Sequence, residues 1–184
     1  MLNRIFFVCL CLCLYSAGSA MSCRWMDNKF KQYSENSLDL LDMMVQNSTN
    51  TTEDAEVEET VAFPGDLYSQ ASKASAQDKL GFTVQVLKGV AALFEKDYSS
   101  ASWEEKRVDD FLNILTQQAD GLYSCIASHS HKKNKKLHMY FKRLSNQVLK
   151  QKDYSAESWE LIRREIKTHL MRSDLLISSL LTIN

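Results

Sequence analysis

The chain has 184 residues and a mass of 21.1 kDa, with 45% hydrophobic and 24% charged residues, the proportions of one ordinary globular domain. Only 5 Gly and 1 Pro occur, which argues against nucleotide folds built on glycine-rich loops and against many-turned β sandwiches. A net charge of −1 excludes generic nucleic-acid binding by the chain as a whole.

The first predicted element is a targeting segment, residues 1–22. Met1–Arg4 carries one basic residue, Ile5–Tyr15 is an unbroken apolar run, and Ser16–Ala20 supplies small residues. This is the three-part pattern of a secretory signal peptide, and the run is about half the length of a bilayer-spanning helix. Cleavage after Ser22, or after Ala20, leaves a mature domain over 23–184 that is exported to the extracellular space. No later stretch is long and apolar enough to insert in a membrane.

Cys9, Cys11 and Cys13 leave with the signal, so Cys23 and Cys125 are the mature cysteines. Two thiols in an oxidising compartment most simply pair, with two free thiols as the other reading. Asn47-Ser48-Thr49 and Asn50-Thr51-Thr52 are both N-glycosylation sequons, close enough to compete for one glycan.

Helical spacing dominates the mature chain. Phe30, Tyr33, Leu40, Leu41 and Met44 share one face of a first helix over Asp27–Gln46. Asn47–Pro64 has no 3.6 period and reads as a long solvated connection, with a short helical turn predicted over Asp66–Lys73. A second helix is expected over Ala76–Lys96, although Gly81 and Gly89 weaken it and packing must compensate. Third, fourth and fifth helices are predicted over Ala101–Ser128, Asn134–Gln151 and Ala156–Leu181. Amphipathic helices of this length bury their stripes against one another, so the fold class is an all-α bundle of five main helices.

Lys96–Glu105 (KDYSSASWEE) and Lys152–Leu161 (KDYSAESWEL) echo one another. Each is read as the start of a helix, with Ser as cap, acids in the first turn and Trp as anchor. Charge is uneven: Cys23–Asp120 holds 18 acids and 9 bases, whereas Gly121–Asn184 holds 5 acids and 12 bases. Partners of the C-terminal half should be acidic.

Catalytic and metal signatures are weak. Cys125, His129, His131 and His138 match no tight zinc spacing, and no HExxH, GxSxG, P-loop or EF-hand pattern appears. No enzyme activity, metal or cofactor is expected. The basic run His129–Lys136 suits a solvated loop or weak binding of heparan-type polyanions. On the fifth helix, Glu160, Arg164, Lys167 and Met171 fall opposite the core stripe, with Arg163 on its shoulder. Arg and Met are enriched at interfaces, so this face is a candidate binding surface as well as an ordinary solvated one.

The ordered landmarks Phe63-Pro64, Leu93-Phe94, DYSSASWEE (Asp97–Glu105), Val108-Asp109-Asp110-Phe111, QQADGLYSCI (Gln117–Ile126), YFKRL (Tyr140–Leu144) and KDYSAESWELIRREI (Lys152–Ile166) resemble a type I interferon. With two mature cysteines, the chain is similar to the virus-induced interferons of teleost fish. The resemblance implies an up-up-down-down helical cytokine bundle with a long first loop. It implies a heterodimeric class II cytokine receptor, JAK–STAT activation and antiviral gene expression, with a monomer as the expected state. It also implies a bridge between Cys23 and Cys125, the counterparts of a family pair. Glu157 stands where many mammalian members carry a further cysteine, so a second family bridge is missing.

Receptor-binding residues implied on the last helix are Arg163, Arg164, Lys167 and Met171, with Arg163 matching the family in type and weighing most. None is expected to matter to the fold. Loop contacts cannot be transferred, because Glu53–Glu59 is acidic where mammalian members are often basic. Gln85, Lys88 and His138 are candidates for the second receptor chain. An interleukin-10-like cytokine and a secreted lipid-binding or antimicrobial bundle are the rival readings.

Overall fold

Apolar stripes at helical spacing gather into six α-helices in the computed structural model, which describes residues 26–44, 61–126 and 133–181. α1 (Lys31–Met43) is entered through a π-helical turn at Met26–Phe30. The short α2 (Gly65–Ser72) lies in the first connection. α3 (Ala76–Leu93), α4 (Glu105–Ser124), α5 (Lys135–Arg143) and α6 (Ala156–Leu181) complete the set. No strand occurs among the described residues. This is the five-helix, up-up-down-down bundle, with α2 as an addition to its first loop.

α3 is the central helix. It packs against α4, α5 and α6, and Leu80, Phe82, Val84, Val86, Leu87 and Val90 bury almost its whole circumference. Ser75 caps it, accepting a hydrogen bond from the Asp78 amide at 3.2 Å. α1 and α6 flank the core, each turning one stripe inward and leaving the other face to solvent. Gly89 explains why α3 tolerates a weak helix former. A Cβ there would meet the Phe141 ring at 2.4 Å, so the glycine lets α5 approach α3.

Several predicted boundaries need correction. The second helix, expected to reach Lys96, ends at Leu93. The third helix, expected from Ala101, begins at Glu105. Ser99–Ala101 forms a 3₁₀ turn, and Ser102 turns left-handed at φ 54° before Trp103. The same helix ends at Ser124 with Cys125 as its cap residue, not at Ser128. The fourth helix is not one α-helix to Gln151: after Arg143 it widens into a π-helical turn, Leu144–Leu149, and then tightens into a 3₁₀ turn, Lys150–Lys152. Leu144, Val148 and Leu149 are buried, so the irregular turn keeps an apolar face on the core.

The two echo segments meet each other. Trp159 is fully buried, and its Nε1 donates to the Asp97 carbonyl at 2.9 Å. Trp103 and Trp159 lie edge to face at 5.7 Å, and Ser100 Oγ donates to the Tyr154 carbonyl. Only the second copy starts its helix as predicted, with Ser155 Oγ accepting from the Ser158 amide at 3.2 Å. In the first copy Glu104 holds the cap position and its side chain makes no capping hydrogen bond.

A buried polar chain ties α2 to α5 and α6. Tyr68 OH lies 2.7 Å from His169 Nδ1, and His169 Nε2 lies 3.2 Å from Tyr140 OH. Tyr140 OH donates to Glu165 Oε1, so it accepts from Nε2–H, and Nδ1 accepts from Tyr68. That order holds a neutral imidazole. Burial lowers the His169 pKa to about 3 and raises that of Tyr68. Phe63 and Phe141 close the ring around His169 at centroid distances of 4.9 and 5.2 Å.

A candidate receptor-binding face on the last helix

α6 runs 26 residues because Ser155 caps its start and Trp159, Ile162, Ile166, Leu170 and Ile177 hold one side in the core. The same period sends Glu160, Arg164, Lys167 and Met171 outward along the border with α1.

Arg163 is more closely tied to the fold than expected. Its side chain is only 12% exposed. Its Nε and Nη2 grip the Glu160 carboxylate side-on, each at 2.8 Å. Its Nη1 reaches Asp42 Oδ1 of α1 at 3.4 Å and the Leu41 carbonyl at 3.5 Å. Arg163 is therefore a clamp between α6 and α1, and the expectation that it lies clear of the fold is corrected. Burial pushes the Glu160 carboxyl up, but the Arg163 and Arg164 guanidiniums outweigh it and hold the group below the usual carboxylate range. The hydrogen bond to Glu160 in turn raises the Arg163 pKa further.

Lys167 Nζ sits 2.8 Å from both Asp42 oxygens, and Arg164 Nε lies 3.2 Å from Glu160 Oε1. Both cations keep substantial exposure, at 43% for Arg164 and 40% for Lys167. Three cations and two acids thus form one network with a surplus positive charge. One turn and two turns further on, Met171 and Leu175 are 51% and 63% exposed. The face is charged at one end and apolar at the other.

Sequence reasoning missed Asp42 and Leu175. Asp42 lies 121 residues before Arg163, and no local pattern marks the pairing. Leu175 was detectable: it lies four residues beyond Met171 and off the core stripe. Of the other candidates, Gln85 Oε1 accepts from the Asn134 amide at 2.8 Å, Lys88 lies 5.5 Å over the Tyr123 ring, and His138 is exposed. All three belong to the α3–α5 side of the bundle, away from α6's outer face. Cys125 is buried at the end of α4. The signal segment, Cys23, Asn47, Asn50, Glu53–Glu59, His129 and His131 lie outside the described residues.

Comparison with known proteins decides the family. The interferon alpha/beta domain description matches residues 26–180. Interferon a3 of Oncorhynchus mykiss is 36% identical over 173 residues, covering 94% of this chain and 95% of that protein. The chain belongs to the interferon alpha/beta family. Interferon epsilon of Sus scrofa is 29% identical to this interferon-family chain over 99 residues, about half of each. The solved structure of zebrafish interferon 1 superposes with a TM-score of 0.70 at 32% identity, covering 85% of this chain and 98% of that one. The interferon family consists of secreted cytokines that bind cytokine-receptor chains, not of enzymes.

Proposed function

We propose that this interferon is a secreted antiviral cytokine that brings together two class II cytokine-receptor chains and so activates JAK–STAT signalling and antiviral gene expression. The carrying observation is the outward strip of α6, where exposed Arg164 and Lys167 give way to exposed Met171 and Leu175. Arg and Met are enriched at interfaces: charge guides the approach, and the apolar pair supplies desolvation. Arg163 supports this strip from beneath by holding Glu160 and Asp42 in place. The second receptor chain is assigned to the α3–α5 side, through Gln85, Lys88 and His138.

The reading includes a cleaved signal over 1–22, a monomeric mature chain over 23–184, a Cys23–Cys125 bond and one glycan at Asn47 or Asn50. The run His129–Lys136 is an auxiliary contact for heparan-type polyanions. The experiment is direct: mature protein at picomolar to nanomolar concentration should phosphorylate STAT proteins in homologous cells and fail in receptor-deleted cells. An Arg164→Ala, Lys167→Ala, Met171→Ala triple variant should keep native circular dichroism and lose that response. An unchanged dose–response curve would remove the face from consideration.

A further inference from the structure

Between α3 and the start of α5 lies an open groove of about 720 Å³. Lys88, Lys96, Lys133, Lys135 and Lys142 line it, against a single acid, Glu95. None of the five lysines makes an ion pair with a described residue. In a chain of net charge −1, this concentrates one sign of charge in a concave surface, where field lines focus.

A second observation points the same way. α5 begins with Lys133, its cap residue Asn134, then Lys135 and Lys136, and carries no acid in its first turn. Cations at a helix N-terminus face the positive end of the helix dipole and cost stability. α3, α4 and α6 place acids there, Asp78, Glu105 and Glu157, whereas α1, like α5, has none. Asn134 Oδ1 caps the helix by accepting from the Leu137 amide at 3.1 Å, and an anion bound beside the lysines would offset their mutual repulsion.

We propose that this groove binds a sulfated glycosaminoglycan of the heparan type. The inference rests on the reading of the chain as a secreted cytokine, and it extends the polyanion contact from the basic run, which supplies Lys133 and Lys135, along the walls of the α3–α5 groove. Lys135 and Lys142 alone are separated by roughly 10 Å along α5, at 1.5 Å rise per residue. Charges so spaced along two helices suit a linear chain of repeated sulfates better than one phosphate. Lysines act as point charges and need no bidentate geometry, which fits a flexible polyanion. Nucleic acid is disfavoured, because base binding without sequence readout uses exposed aromatic platforms, and the ring in this groove, Phe141, is 8% exposed. Glycan in the groove would also cover Gln85, Lys88 and His138, so bound and receptor-engaged forms exclude each other at that side.

The test uses the full mature protein on immobilised heparin, with STAT phosphorylation measured in parallel. Wild-type protein should bind and lose about a hundredfold in affinity between about 50 and 200 mM salt, the dependence of roughly five released counterions. Lys88→Gln, Lys135→Gln, Lys142→Gln together should weaken binding tenfold or more. An equal-charge control, Lys150→Gln, Lys152→Gln, Arg172→Gln, should stay within twofold, and desulfated heparin should fail to compete. Equal losses in both variants, loss in neither, or full competition by desulfated heparin would overturn the proposal. So would loss in a His129→Gln, His131→Gln, Lys132→Gln variant with the groove variant unaffected. A groove variant that keeps heparin affinity but cannot signal would assign the groove to a receptor chain instead. Wild-type protein that binds heparin without signalling would refute the cytokine reading alone.

Discussion

Replacing Arg163 by Ala separates fold from recognition. The guanidinium is 12% exposed, bonds Glu160 twice at 2.8 Å and reaches Asp42 at 3.4 Å. Breaking a fully buried pair on one side costs about 3–5 kcal/mol, and breaking an exposed one about 0–1 kcal/mol. This site lies between those limits. Glu160 is 21% exposed and keeps Arg164, while Asp42 is 50% exposed and keeps Lys167. The expected loss is about 2 kcal/mol, which includes the packing of the arginine stem. With a urea slope of about 2 kcal/mol per molar for a domain of this size, the midpoint should fall by about 1 M. Lys167→Ala breaks a pair in which both partners are well exposed, so its midpoint should move by no more than about 0.5 M. Urea unfolding at neutral pH, followed by far-ultraviolet circular dichroism, measures both. An Arg163→Ala midpoint equal to wild type would refute the clamp, and Arg163 would return to the binding face as a direct contact.

Gly89→Ala should cost about 1–3 kcal/mol, because its Cβ would stand 2.4 Å from the Phe141 ring; a thermal melt checks this, and Phe141→Leu should recover part of the loss. His169 has a folded pKa of about 3 and an ordinary unfolded value. The unfolded chain therefore takes up a proton below about pH 6.5 while the folded chain does not, and stability falls by about 1.4 kcal/mol per pH unit on acidification. His169→Gln should flatten the fall in urea midpoint between about pH 6 and 4, and parallel slopes in the two proteins would reject the assignment. Mass spectrometry of the non-reduced secreted protein should recover Cys23 and Cys125 in linked peptides, whereas two alkylatable thiols in native protein would exclude the bond. N-glycosidase should lower the mass of protein from animal cells, unless Asn47→Gln and Asn50→Gln are both present; no shift in the unmutated protein rejects the glycan.

The helical stripes were legible because each is a local pattern. α6 begins at Ala156 as its capping serine implies, and it is helical through Leu181, the last described residue. The start of α4 was not legible, since the segment before it turns left-handed at Ser102 and its Asp97 carbonyl is bound by an indole 62 residues away. The π-helical turn after Arg143 has no sequence signature either; its residues keep an ordinary apolar spacing, and packing against α6 selects the wider turn. On the candidate face, Arg164, Lys167 and Met171 were readable from helical phase alone. The demotion of Arg163 to a clamp was not, because it depends on an acid from α1. His169 was missed, although its phase with Ile162, Ile166 and Ser173 places it on the buried side of the helix.

The meeting of the two echo segments has an optical consequence. Trp103 and Trp159 lie edge to face at 5.7 Å, with Tyr98 6.3 Å from Trp159 and Phe94 5.7 Å from it. Indoles this close share excited states, so the pair should give a strong, split signal in near-ultraviolet circular dichroism. Tyrosine emission nearby should drain into it. Because both rings sit where α4 and α6 begin, the split component of that signal reports on the junction. It disappears when this end loosens, even while the far-ultraviolet spectrum still records intact helices.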